Sequence, residues 1–114
     1  MKTILFVDDD TTITECFQIL FSDRGYNVLI ANEGKQALDI ISKNKQIDLL
    51  VTDLNMPNGM GGVDLINSLP DSFQNKKVAI MSGYVENELL IQNKIKISAF
   101  LSKPISAKKI MELL

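Results

Sequence analysis

The sequence contains no histidine among its 114 residues. This absence excludes histidine as a general acid or base, as a metal ligand and as a phosphorylated side chain. The sequence also contains a single cysteine, Cys16, so no internal disulfide can form. A chain without disulfides is typical of a reducing compartment, and we expect this one to be cytoplasmic.

A basic surplus and long apolar runs are absent as well. Lysine and arginine number 12 against 14 acidic residues, whereas a nucleic-acid-binding module normally carries a basic surplus. The apolar run at residues 3–7 is too short for a signal peptide or a membrane span. Hydrophobic residues still make up 46% of the chain, enough for the core of one ordinary domain. We therefore expect one domain, residues 1–114, that binds neither nucleic acid nor a membrane.

Five short apolar runs are rich in β-branched residues and too short for helices, so they predict strands. Their almost continuous apolar character is typical of strands buried on both faces, as in a parallel sheet. The five runs are Thr3–Val7, Asn27–Ala31, Asp48–Thr52, Val78–Met81 and Ala99–Leu101.

Segments of helical period lie between these runs. In the first, apolar residues follow the spacing of one helix face, which predicts that Cys16 is buried and that the helix ends at Gly25. The second is predicted to begin at Asn32 as its N-cap, and the third to end at Pro70. A fourth is predicted over Glu86–Lys94, and a fifth follows Ser106 as its N-cap.

The alternation of strands and helices predicts a doubly wound α/β fold. Right-handed crossovers then give a five-stranded parallel sheet with helices on both faces. We expect the flavodoxin-like strand order 2-1-3-4-5, in which ligands bind beyond the carboxyl ends of the strands.

Polar residues follow four neighbouring strands of that predicted sheet. Asp8 and Asp9 come after the first strand, Asp53 after the third, Ser82 after the fourth and Lys103 after the fifth. Clustered carboxylates repel each other, and a hard cation such as Mg²⁺ relieves this repulsion because it prefers oxygen ligands. A hydroxyl and an ammonium group can both bind a phosphoryl group, and a carboxylate can accept one as a nucleophile. The next acid, Asp10, is better interpreted as the N-cap of the first helix.

Four segments of the sequence carry a resemblance to a known family: Ile4–Asp10, Asp48–Pro57, Met81–Gly83 and Phe100–Pro104. Together, in this order and at strand ends, they resemble the receiver domains of bacterial two-component response regulators. The resemblance covers essentially the whole chain.

The resemblance implies a role for each matched residue. Asp53 resembles the phosphoacceptor, and Asp8 and Asp9 resemble the acidic pair that binds Mg²⁺ together with Asp53. Asn55 stands where the family supplies a backbone carbonyl to the metal. The remaining matches are Ser82 and Lys103 at the phosphoryl group, Phe100 as the switch aromatic, and Asn55 with Tyr84 at positions that tune dephosphorylation.

The resemblance also implies partners. The phosphoryl group would come from a phosphohistidine on a sensor histidine kinase or a phosphotransfer protein. It would change the output face, which acts on an output domain or a target protein and can support a phosphorylation-dependent dimer. Such a domain is a signalling switch in a phosphorelay and has at most self-phosphorylation and self-dephosphorylation activity.

Two segments depart from the family pattern. The loop at residues 58–62 is one residue longer than the commonest form and lacks its usual aspartate, and its glycines predict flexibility. Lys96 and Ile97 stand where a Gly-Ala pair is usual, which removes a natural C-cap from the fourth helix.

Three other functions remain open on the residues alone. Asp8–Thr12 also fits the opening of a haloacid-dehalogenase-like phosphatase with Asp8 as its nucleophile, but such an enzyme needs a later acidic motif, and only Glu112 follows Lys103. A nucleotide- or flavin-binding module is disfavoured because no glycine-rich loop follows the first strand. A pure interaction domain would have no use for the complete set of site residues.

Overall fold

The computed structural model describes residues 1–44, 46–54, 56, 59–82, 95–102 and 105–114. Five parallel strands form one sheet in the order β2-β1-β3-β4-β5, which confirms the predicted topology. The strands are β1 (Thr3–Val7), β2 (Asn27–Ala31), β3 (Leu49–Asp53), β4 (Lys77–Ser82) and β5 (Ala99–Ser102).

Two strand boundaries matter for the site. β3 begins and ends one residue later than predicted, so Asp53 is its last residue and does not follow it. β4 runs to Ser82, one residue beyond the predicted end. Both residues still lie at the carboxyl edge of the sheet, because β3 pairs with β4 in a register that sets Asp53 opposite Met81.

Helices cover both faces of the sheet. The predicted fourth helix, Glu86–Lys94, lies outside the described residues. Ser106 occupies the predicted N-cap position of the last described helix, although its side chain makes no capping hydrogen bond. The helices are α1 (Thr11–Ser22), α2 (Gly34–Lys43), α3 (Gly62–Asn67), a 3₁₀ helix (Asp71–Asn75) and α4 (Ala107–Met111).

The core has two parts, one on each face of the sheet. On one face, Leu5 and Leu65 belong to a cluster that α2 and α3 cover. On the other face, Phe6, Phe21 and Ile110 belong to a cluster that α1 and α4 cover. β1 and β3 are buried along their whole lengths, as their apolar sequences predict.

The prediction that Cys16 is buried was wrong. Cys16 is exposed, and the fully buried residue of this part of α1 is Thr14. The helix packs on the sheet through Phe17 and Phe21, and the ring of Phe17 stacks on Phe6 with centroids 4.6 Å apart. Cys16 lies outside this narrower contact face.

The predicted N-cap of α2 was also wrong. The N-cap position belongs to Glu33, whose side chain makes no capping hydrogen bond. Asn32 instead uses its backbone N–H to donate to Gln36 Oε1 at 2.8 Å, and its side chain points back toward the end of β1.

In the described part of the chain, no helix is long and apolar enough to cross a membrane.

Candidate functional site

Three carboxylates meet at the carboxyl edge of the sheet. β1 and β3 are neighbours, and their register pairs Val7 with Thr52, so the residues that follow, Asp8 and Asp53, lie side by side. One carboxylate oxygen from each of Asp8, Asp9 and Asp53 lies within 4.8 Å of the other two. Sequence reasoning had predicted this cluster from the positions of the three acids at strand ends.

The surroundings of the cluster suit a bound cation. Asp8 is 1% exposed, Asp53 is 5% exposed and Asp9 is half-buried. Buried carboxylates are costly unless they are paired or bind a metal. The donors are all hard carboxylate oxygens, which match the preference of Mg²⁺, and the half-buried Asp9 leaves a side open to water and phosphate oxygens. The residues present therefore fit a magnesium ion.

The acidic loop, residues 8–10, has its own hydrogen bonds. The backbone N–H of Asp10 donates to Asp8 Oδ1 at 2.9 Å, which fixes the orientation of that carboxylate. The Asp10 side chain accepts from the Thr12 N–H at 3.0 Å and caps α1. The capping role predicted for Asp10 is confirmed, and this exposed carboxylate lies outside the cluster.

Asn32 connects the acidic loop to α1, a function that sequence reasoning missed. Its side-chain Nδ2 donates to the backbone carbonyl of Asp8 at 3.0 Å and to Thr14 Oγ1 at 3.3 Å. Thr14 Oγ1 in turn donates to the Thr11 carbonyl at 3.1 Å. The sequence feature that could have indicated this role is the position of Asn32 directly after β2. Because β2 pairs with β1, that position lies at the same sheet edge as the acids.

The backbone of Asp53 is packed tightly against the start of α3. The Gly62 N–H donates to the Leu54 carbonyl at 3.2 Å. A Cβ at Gly62 would stand 2.1 Å from the Asp53 carbonyl oxygen, so only glycine allows this approach. Earlier in the same loop, the Met60 carbonyl accepts a hydrogen bond at 3.0 Å from the N–H of Gly34, the first residue of α2.

Several of the other predicted site residues lie outside the described residues. Ser82 ends β4 beside β3, but its side chain is outside the described set, as are Asn55, Tyr84 and Lys103. Phe100 lies on β5, pairs with Ile80 of β4 and is 40% exposed. The predicted flexibility of the loop at residues 58–62 stays a prediction.

A sequence profile of the response regulator receiver domain matches residues 4–114. The transcriptional regulatory protein CpxR of Escherichia coli is 30% identical over 97% of this chain, which spans 47% of CpxR. Sporulation initiation phosphotransferase F of Bacillus subtilis is 33% identical over 82% of this chain and 73% of its own length. This chain thus spans about half the length of CpxR and a larger share of the shorter relative.

Solved structures give the same result for the fold. A response regulator receiver domain protein from Clostridium thermocellum superposes with a TM-score of 0.85 at 27% identity, covering 99% of this chain and 90% of that one. A CheY-like receiver domain protein from Methanospirillum hungatei gives a TM-score of 0.84 at 29% identity, with coverages of 98% and 89%. The sheet order and the covering helices are therefore those of receiver domains.

Proposed function

We propose that this chain, which belongs to the response regulator receiver domain family, accepts a phosphoryl group on Asp53 and works as a switch of a two-component system. The observation that carries the proposal is the cluster of Asp8, Asp9 and Asp53, whose carboxylate oxygens lie within 4.8 Å of one another. Among these acids, Asp53 is the one on the central strand, β3, between β1 and β4. The phosphatase alternative, with Asp8 as nucleophile, finds no support in these comparisons.

The proposed reaction transfers a phosphoryl group from nitrogen to oxygen. A carboxylate oxygen of Asp53 attacks the phosphorus of a phosphohistidine on a sensor histidine kinase or a phosphotransfer protein. The new P–O bond forms as the P–N bond breaks, and the imidazole nitrogen of the partner keeps the electron pair. The chain has no histidine of its own, so the donor must be another domain or molecule.

Mg²⁺ is the cofactor that we propose for this reaction. Asp8, Asp9 and Asp53 would hold it with their side chains, and Asn55 with its backbone carbonyl. When bound, the ion neutralises negative charge that develops on the transferred group. The hydrogen bond from the Asp10 N–H keeps the Asp8 carboxylate oriented toward the cluster.

Family membership supports further roles at the neighbouring strand ends. Ser82 would donate a hydrogen bond to the phosphoryl group, and Lys103 would pair with its negative charge. Phe100 would change its side-chain position with the state of the site. A phosphoryl group shifts the conformational population only through contacts that differ between the two states, and these residues would supply them.

The output is part of the proposal as well. We expect the phosphorylated domain to act on an output domain or a separate target protein, or to dimerise. CpxR is described as a transcriptional regulatory protein and is about twice as long as the segment that matches it. A link to transcription would therefore depend on sequence outside this domain.

Chemical phosphorylation followed by intact-mass spectrometry tests the proposed acceptor. With acetyl phosphate and Mg²⁺, we expect one phosphoryl adduct on the wild type and its loss in Asp53→Ala. Asp64→Ala is the matched control, because Asp64 is an exposed aspartate on nearby α3. An adduct of equal yield in Asp53→Ala would refute the assignment.

A further inference from the structure

We propose that Asn32 and Thr14 position the metal-binding carboxylates by holding the acidic loop, residues 8–10, against α1. We call this pair of hydrogen-bonded residues the Asn32–Thr14 bridge. The inference rests on the proposed function, because it assigns these residues a role at the proposed magnesium site. They are positioning residues, since the contacts described for them are with the protein around the site.

The geometry of the bridge joins three elements. Asn32 lies between β2 and α2, and one atom, its Nδ2, contacts both the end of β1 and the buried face of α1. The two distances are 3.0 Å to the Asp8 carbonyl oxygen and 3.3 Å to Thr14 Oγ1. Thr14 is fully buried and Asn32 is half-buried, so water does not replace these bonds freely.

The chemistry of the partners fixes which atoms donate. The Asp8 carbonyl can only accept, so the amide nitrogen of Asn32, which donates, must face it. Thr14 Oγ1 accepts the second amide hydrogen and then donates its own hydrogen to the Thr11 carbonyl at 3.1 Å. The donor and the acceptor of each hydrogen bond in this chain are therefore fixed. This leaves the peptide bond between Asp8 and Asp9 little freedom to rotate.

That peptide determines where the site carboxylates point. The Asp8 carbonyl belongs to the peptide bond between Asp8 and Asp9. The N–H of the next peptide, that of Asp10, donates to Asp8 Oδ1. A rotation of this peptide would therefore move Asp9 and remove the bond that orients Asp8. Replacing a residue that orients a metal ligand commonly lowers the metal affinity by about tenfold or more.

The fold offers a matched control at the opposite end of the same two strands. Asn27 Nδ2, at the start of β2, donates to Thr3 Oγ1, at the start of β1, at a distance of 3.2 Å. This is also an asparagine-to-threonine hydrogen bond, but it joins β2 directly to β1 and lies at the amino edge of the sheet. Its loss should affect stability without reaching the carboxylates.

The test is Mg²⁺ affinity by calorimetry on the full chain, with urea melts in EDTA beside it. We expect Asn32→Ala and Thr14→Val to bind Mg²⁺ about tenfold more weakly than wild type, and the double variant to lose little more, because both remove one bridge. Thr14→Ser keeps the hydroxyl and should stay within about twofold of wild type, as should Asn27→Ala.

The outcomes separate this inference from the proposed function. Wild-type affinity in both Asn32→Ala and Thr14→Val would overturn the inference, as would an equal loss in Asn27→Ala. In either case, phosphorylation of the wild type on Asp53 would leave the proposed function standing. A wild type that neither binds Mg²⁺ nor accepts a phosphoryl group would refute both. If Asn32→Ala fails to fold, Thr14→Val against Thr14→Ser decides the question alone.

Discussion

Gly61 and Gly62 are adjacent in the sequence but stand in different surroundings. A Cβ at Gly62 would lie 2.1 Å from the Asp53 carbonyl oxygen and 2.7 Å from the Leu54 Cα, both in the backbone. A Cβ at Gly61 would meet its nearest neighbour, the Leu54 carbonyl oxygen, at an ordinary 3.5 Å. Neither residue has a positive φ, so the space around each Cβ separates the two positions.

We predict that Gly62→Ala destabilises the protein strongly and that Gly61→Ala does not. Alanine has a higher helix propensity than glycine. At Gly62 the cost of shifting the Asp53 backbone outweighs this gain in stability. We expect a loss of about 2–4 kcal/mol for Gly62→Ala and a change below about 1 kcal/mol for Gly61→Ala. Urea melts measure both, and equal stability of the two variants would contradict the steric argument.

The residues of the site differed in how far the sequence could predict them. Asp8, Asp9 and Asp53 were predictable because strand ends in a parallel sheet meet at one edge, whatever the details of packing. Asn32 was not, because an asparagine before a helix is usually an N-cap. Its actual partner, Thr14, is 18 residues away, and only the finished packing of α1 on β1 brings the two side chains together.

At the level of the elements, α1 shows how an apolar stripe can be misjudged. The predicted stripe contained Cys16 because it follows Ile13 by three residues. Phe17 and Phe21 of that stripe do face the sheet, and their aromatic rings pack against Phe6. Three aromatic rings fill this contact, so the helix turns Cys16 and Ile19 toward solvent, and Ile19 is 66% exposed.

We predict that the Cys16 thiol reacts with a disulfide reagent at the same rate in the native protein as in the protein unfolded in urea at the same pH. Its side chain is exposed, so Cys16→Ser should change the free energy of unfolding by less than about 0.5 kcal/mol. Thiol titration of the folded protein and urea melts are the measurements. Thr14→Val is a comparison at a buried position of the same helix and should change stability more. A protected thiol would contradict this account of α1.

The molecule as a whole was more predictable than its short elements. The alternation of buried strands and amphipathic helices defines a doubly wound sheet even when single boundaries are off by a residue. The 3₁₀ helix Asp71–Asn75 was missed because one turn of backbone leaves too few residues for a recognisable period. α3 ends at Asn67, before the predicted stop at Pro70, because the residue before a proline avoids helical backbone.

Charge repulsion across the whole site gives a prediction for global stability. Two unit charges 4.8 Å apart repel by about 3.5 kcal/mol at an effective dielectric constant near 20. Salt and the positive charge of Lys103, which follows β5 in the sequence, should reduce this to roughly 1–2 kcal/mol. Without metal, three carboxylates at one sheet edge therefore make the fold less stable than it would be with two.

We predict that Asp53→Asn raises the free energy of unfolding in EDTA by roughly 1–2 kcal/mol, because it removes one negative charge and keeps the shape of the side chain. Mg²⁺ should reverse the order. An ion at about 100 times its dissociation constant stabilises a folded protein by about 2.7 kcal/mol. The variant, with one carboxylate fewer at the site, should gain less. Urea melts with and without Mg²⁺ measure both effects, and Asp64→Asn on exposed α3 surface is the charge-matched control. If Asp53→Asn is less stable than wild type in EDTA, repulsion among the three acids does not limit the stability of this fold.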